Sequence, residues 1–175
     1  MREQLLQAVG DRLREYLETK DAAQVLGDDA LAEAEDLMAN GGPGDLPVLY
    51  TGGLFFWFRS LAFDDPVQSL AALEVATLSM ELLFEADPER VPDDFRDGFE
   101  AVRTGDPAGA DPVLLWAYGR ALLRTFGENP LRATVARAAD VLRLGLRAMP
   151  ETDDRRPVLV DDLARAITAV ALARD

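Results

Sequence analysis

Asp93-Asp94-Phe95-Arg96-Asp97 places three carboxylates within about one helical turn of each other. Hard oxygen ligands at that spacing can share magnesium ions, and the ions in turn neutralise a diphosphate. The same residues also suit an ordinary helix start, because they follow Pro92 directly and the positive end of a helix favours acids. No second acidic motif offers a facing set of ligands. Asp plus Glu make up 32 of 175 residues, a density at which such clusters arise by chance. A magnesium-dependent, diphosphate-using enzyme built on Asp93, Asp94 and Asp97 is the alternative reading. The preferred reading assigns no catalytic residue, no metal ligand and no cofactor.

A second set of chemistry-bearing residues is basic. Arg120 and Arg165 lie eight residues after Pro112 and Pro157, and Arg59 and Arg124 lie twelve after Pro47 and Pro112. Guanidinium forks bind carboxylates in bidentate fashion, and the neighbouring Phe55, Phe58 and Trp116 offer anchoring area. Two readings stay open. These arginines form a track for an acidic or carboxylate-terminated segment, or they pair with Asp161, Asp162 or Glu128 while the aromatics are core.

Other chemistry is narrowed by what is missing. The chain has no cysteine, so disulfides, thiol nucleophiles and thiolate metal sites are excluded. It has no histidine, the commonest general base and metal ligand, so no conventional hydrolase triad can form. Gly52-Gly53 and Gly41-Gly42-Pro43-Gly44 lack the Lys-Ser/Thr ending of a phosphate loop. The net charge of −14 repels nucleic acid at long range. No uninterrupted apolar run approaches the ~18 residues of a membrane span, and residues 1–19 carry acids where a signal peptide needs an apolar core. A cytoplasmic protein without a membrane partner is expected.

The elements that must position these residues read as helices throughout, so the fold class is all-α. Residues 2–18 put Leu5, Leu6, Val9, Leu13, Tyr16 and Leu17 on one stripe. A second helix begins at about Ala22 or Asp29, with Gly27 unsettling its start, and reaches Met38. After the break at residues 40–45 comes the most apolar stretch, 46–62, whose Phe55-Phe56-Trp57-Phe58 run fits a buried helix or a strand. Helix is preferred because the stretch opens on Pro-Val-Leu, as do the helical segments at 112 and 157. Asp65-Pro66, Asp111-Pro112 and Asn129-Pro130 mark helix starts, an acid or amide capping free amides ahead of a proline that needs no partner. A short extra helix is expected at 93–103, and further helices at 112–126, 130–148 and 157–173.

The three Pro-Val-Leu copies suggest an internal repeat. Gly119 matches Ala164 and Ala121 matches Ala166; Ala76, Met80, Leu83 and Pro88 match Ala138, Leu142, Gly145 and Pro150 at the same spacing. This pattern resembles the helix pairs of tetratricopeptide repeats, in the divergent form found in multidomain signalling proteins of actinomycetes. The near-exclusive use of arginine over lysine, with Lys20 alone, suits such a source. The likeness is clearest over 111–173 and weaker over 46–88, where Leu54 and Phe56 stand in for the small residues Gly119 and Ala121. It implies antiparallel helix pairs stacked as a short solenoid or a repeat-derived bundle. The expected single domain 1–175 divides into an N-terminal helical pair (1–45), repeat 1 (46–90), an inserted helix and loop (91–110), repeat 2 (111–150) and a terminal half repeat (156–175). In such arrays the first helix of each pair faces the concave surface, which would gather Phe55, Phe58, Arg59, Trp116, Arg120, Arg124 and Arg165. The expected function is a noncatalytic protein- or peptide-binding module for scaffolding or regulation. Ile167, Val170, Ala171 and Leu172 near the end of the last helix also suit pairing with a second copy of the chain.

Overall fold

The computed structural model describes residues 1–125 and 132–173, and every regular element among them is helical. The helices form two compact units, Met1–Val91 and Pro92–Asp175. The expected helix start at Asn129-Pro130, together with Phe126 and Glu128, lies outside the described residues.

The first unit holds α1 (Arg2–Thr19), α2 (Ala23–Leu26), α3 (Asp28–Asn40), α4 (Leu46–Ala62) and α5 (Pro66–Ala86), followed by a 3₁₀ turn at Pro88–Arg90. On α1 the apolar stripe buries Val9 and Leu13. Gly27 leaves helical geometry at φ −59° and ψ 146°, which splits the expected second helix into α2 and α3. The aromatic run is helical. Its start is fixed by Asp45, whose carboxylate accepts the Val48 N–H and grips Arg2 through two 2.5 Å contacts. Asp65 caps α5 by accepting the Val67 N–H at 2.9 Å.

Helices α4 and α5 form an antiparallel hairpin, read from the register of their contacts. Gly53 lies against Ser79 and Met80, whereas Phe56, Arg59 and Phe63 lie against Gln68, Ala71 and Val75. The core of this unit is filled by Val9, Val25, Leu37, Phe55, Met80 and Leu83, all without accessible surface. By length and composition α5 is apolar enough to cross a membrane, with mean hydropathy 1.4 over its most apolar stretch. The stretch is not an uninterrupted apolar run, because Gln68, Ser69 and Glu74 interrupt it. Half of the stretch is buried here, and Glu74, Thr77 and Ser79 are among the buried residues.

The second unit holds α6 (Asp93–Thr104), α7 (Pro112–Thr125), α8 (Arg132–Ala148) and α9 (Arg156–Leu172). Amphipathic α6 packs through Phe95 and Phe99, and Phe99 meets Tyr118 of α7 edge-on at 5.4 Å. It ends where Gly105, at φ 75°, donates its N–H to the Ala101 carbonyl. Asp111 caps α7 through the Val113 N–H at 2.8 Å. Helices α7 and α8 are again antiparallel: Gly119 meets Leu142 and Ala138, while Gly145 meets Leu115 and Pro112. A Cβ on Gly119 would sit 2.5 Å from Leu142 Cγ, so this close approach requires glycine. The third Pro-Val-Leu differs from its sisters, since α9 has no side-chain N-cap. Instead Arg156 donates to the Leu146 and Met149 carbonyls at 2.8 and 2.7 Å, satisfying the end of α8 and fastening α9 to it.

Candidate functional site

In the second unit the expected residues Trp116, Arg120 and Arg165 converge on one carboxylate. Trp116 and Arg120 are four residues apart on α7 and share a face; Asp162 and Arg165 are three apart on α9. Asp162 Oδ2 accepts the Trp116 indole N–H at 2.8 Å and Arg120 Nη1 at 3.0 Å, while Oδ1 accepts Arg165 Nη2 at 2.7 Å. The Arg120 guanidinium lies 5.9 Å from the Trp116 ring centre. The Asp162 side chain is 4% accessible, and these three donors take the place of water around its carboxylate.

The cluster grades outward. The Arg120 side chain is 21% accessible and that of Arg165 is 71% accessible. Beside Arg165, Ala164, Thr168, Ala169 and Leu172 line a shallow apolar groove of about 410 Å³ along α9. Arg124 is exposed in the last described turn of α7.

The remaining expected residues belong to the first unit. Phe55 has no accessible surface and packs edge-on to Phe56 at 5.5 Å, so in the folded chain it serves the core. Phe58 is half-buried between Tyr16, at 5.6 Å, and Trp57, at 5.3 Å. Arg59 is 9% exposed, donates Nη1 to the Val25 carbonyl at the end of α2, and stacks its guanidinium 5.0 Å from the Phe63 ring centre. Burial lowers its pKa, against the longer-range pull of Asp28 and Glu35. Phe56, Arg59, Phe63, Gln68, Ala71, Ala72 and Val75 line a groove of about 240 Å³ between α4 and α5.

Asp93, Asp94 and Asp97 open α6, where Asp93 pairs with Arg96 at 3.1 Å and all three acids are exposed. Among the described residues, no three acidic side chains gather closely enough to hold a metal ion.

The sequence offers Asp162 as one of three candidate partners for the arginines, but not its sharing with Trp116 and Arg120, which lie 46 and 42 residues away along the chain. The second apolar stripe of α9, Val160, Ala164, Ile167 and Ala171, has the i, i+4, i+7, i+11 spacing that would have revealed it. No protein-family model matches this chain, and no curated protein or solved structure matches it significantly.

Proposed function

We propose that this chain is a noncatalytic, protein-binding helical module of the cytoplasm, whose antiparallel pairs stack in the manner of a short tetratricopeptide-like solenoid or repeat-derived bundle. The observation that carries the reading is the outer face of α9. Val160, Ile167 and Leu172 keep 44, 46 and 78% of their surface exposed, although α9 buries only Leu159, Asp162 and Ala166. A helix with one apolar stripe docked and a second uncovered is suited to receive another amphipathic helix. Arg165 flanks that stripe and favours a partner carrying an acidic residue at the edge of its apolar face.

A photo-crosslinking residue at position 168, beside the stripe, tests this in cells. A discrete protein adduct that disappears with Ile167→Asp, while the same residue placed at exposed position 140 of α8 gives none, is the expected result. An adduct with a second copy of the chain makes the module self-associating. Adducts indifferent to Ile167→Asp reject the α9 surface.

A further inference from the structure

The groove between α4 and α5 has a chemistry that the protein-binding reading does not use. Its walls are Phe56, Phe63, Ala71, Ala72 and Val75, and a buried cation, Arg59, lines it as well. Buried guanidinium groups are ordinarily matched by a carboxylate, because desolvation penalises an unpaired charge. Arg59 has no such match among the described residues. Among the described residues its hydrogen bonding consists of Nη1 to the Val25 carbonyl, and no acidic side chain lies within ion-pair distance. Asp28 and Glu35 act on it only from further away. None of its nitrogens is both sealed from solvent and unbonded.

An apolar trough with an uncompensated guanidinium is complementary to an anion with a short hydrocarbon tail. The planar fork selects a carboxylate, which it can grip through two parallel N–H donors. Phe63, already stacked on the guanidinium, holds the fork in place. The volume of about 240 Å³ is smaller than the ~300–1,000 Å³ of sites for drug-sized ligands, which favours a short chain.

We propose that the α4–α5 groove binds a short aliphatic monocarboxylate, with Arg59 taking the carboxylate and Phe56, Phe63, Ala71 and Val75 enclosing the tail. Binding is a second activity, separate from the α9 surface, and stands or falls independently of it.

Calorimetric titration of the full chain with octanoate tests the assignment, with octanol, acetate and a hexapeptide ending in leucine as the other arms. Octanoate is expected to bind at least tenfold more tightly than octanol or acetate. Arg59→Lys keeps the charge but loses the fork, and should weaken octanoate by about tenfold. Arg59→Met also removes the tie to Val25, so Ala71→Trp, which fills the groove and leaves Arg59 in place, supplies the second variant. It should abolish binding while leaving the circular dichroism spectrum and Tm unchanged. Equal affinity for octanoate and octanol would overturn the proposal, as would octanoate binding that survives Ala71→Trp. Tighter binding of the peptide, lost in Ala71→Trp, would replace the small carboxylate with a protein C-terminus and overturn it too.

Discussion

Arg59 and Arg120 both lie on the first helix of a hairpin that opens on Pro-Val-Leu, twelve and eight residues after its proline, yet they meet opposite fates. Arg120 shares the buried carboxylate of Asp162 with Trp116 and Arg165. Arg59 is more buried than Arg120 and has a backbone carbonyl and an aromatic face instead of a carboxylate. The difference lies in the third helix that reaches each pair. Helix α9 delivers an acid to α7, whereas α2 delivers only the carbonyl of Val25. An arginine in a helical pair therefore says little by itself: what the neighbouring helix brings decides whether it is structural or left with binding capacity.

The comparison can be broken most severely at Asp162. Asp162→Ala removes the carboxylate to which the Trp116 indole and Arg120 both donate, and a broken buried pair costs about 3 kcal/mol, the low end of its range because Arg165 can turn to solvent. Denaturant unfolding is the measurement. Arg59→Met, with no buried acid to strand, should cost clearly less.

The two hairpins differ next in their close approaches. Gly119→Ala drives a Cβ to 2.5 Å from Leu142 Cγ and near the Ala138 carbonyl, so it should destabilise by about 1–3 kcal/mol. Gly53→Ala meets chiefly the flexible end of Met80, at 2.8 Å, and should cost about 1 kcal/mol or less once Met80 swings aside. Thermal unfolding of the two variants ranks them.

Arg165→Gln probes the outer edge of the cluster. Its side chain is 71% accessible, so its ion pair contributes about 0–1 kcal/mol, and stability should scarcely move. If crosslinking from position 168 weakens nonetheless, Arg165 belongs to the recognition surface.

The smallest effect concerns acid. Asp153 is held down to about 2 from its ordinary 3.8, first by the Arg155 side chain and then by the Arg155 backbone N–H. A carboxylate depressed in this way binds fewer protons folded than unfolded, so its contribution is complete above pH 3.8 and vanishes as the pH falls to about 2. Glu33, lowered by Arg12, acts in the same direction in the first unit. Asp153→Asn should flatten the acid unfolding curve in that window, as followed by circular dichroism.

Much of the fold was legible because helix starts and stripes are local. Asp65 and Asp111 cap where an acid before proline says they should, and the stripe of α1 buries Val9 and Leu13. The aromatic run of α4 was ambiguous in period, and only its shared opening tripeptide pointed to helix. The site was less legible. Arg120 and Asp162 are 42 residues apart, and Arg59 and Val25 are 34 apart, so neither partnership leaves a mark in local spacing. Likewise Phe55 and Phe58 are near neighbours in the same run, but the first is enclosed and the second half-open because of how α4 is turned toward its neighbours.

The chain's two tryptophans fall one to each unit, Trp57 in the first and Trp116 in the second. Trp116 donates its indole N–H to a carboxylate supplied by α9, so its excited-state dipole sits in a field that exists only while α9 is docked. Replacing Trp57 with phenylalanine would leave one optical probe, whose emission wavelength reads the attachment of the last helix directly. The lifting of α9 could then be timed by stopped flow, without a label and without knowing what binds there.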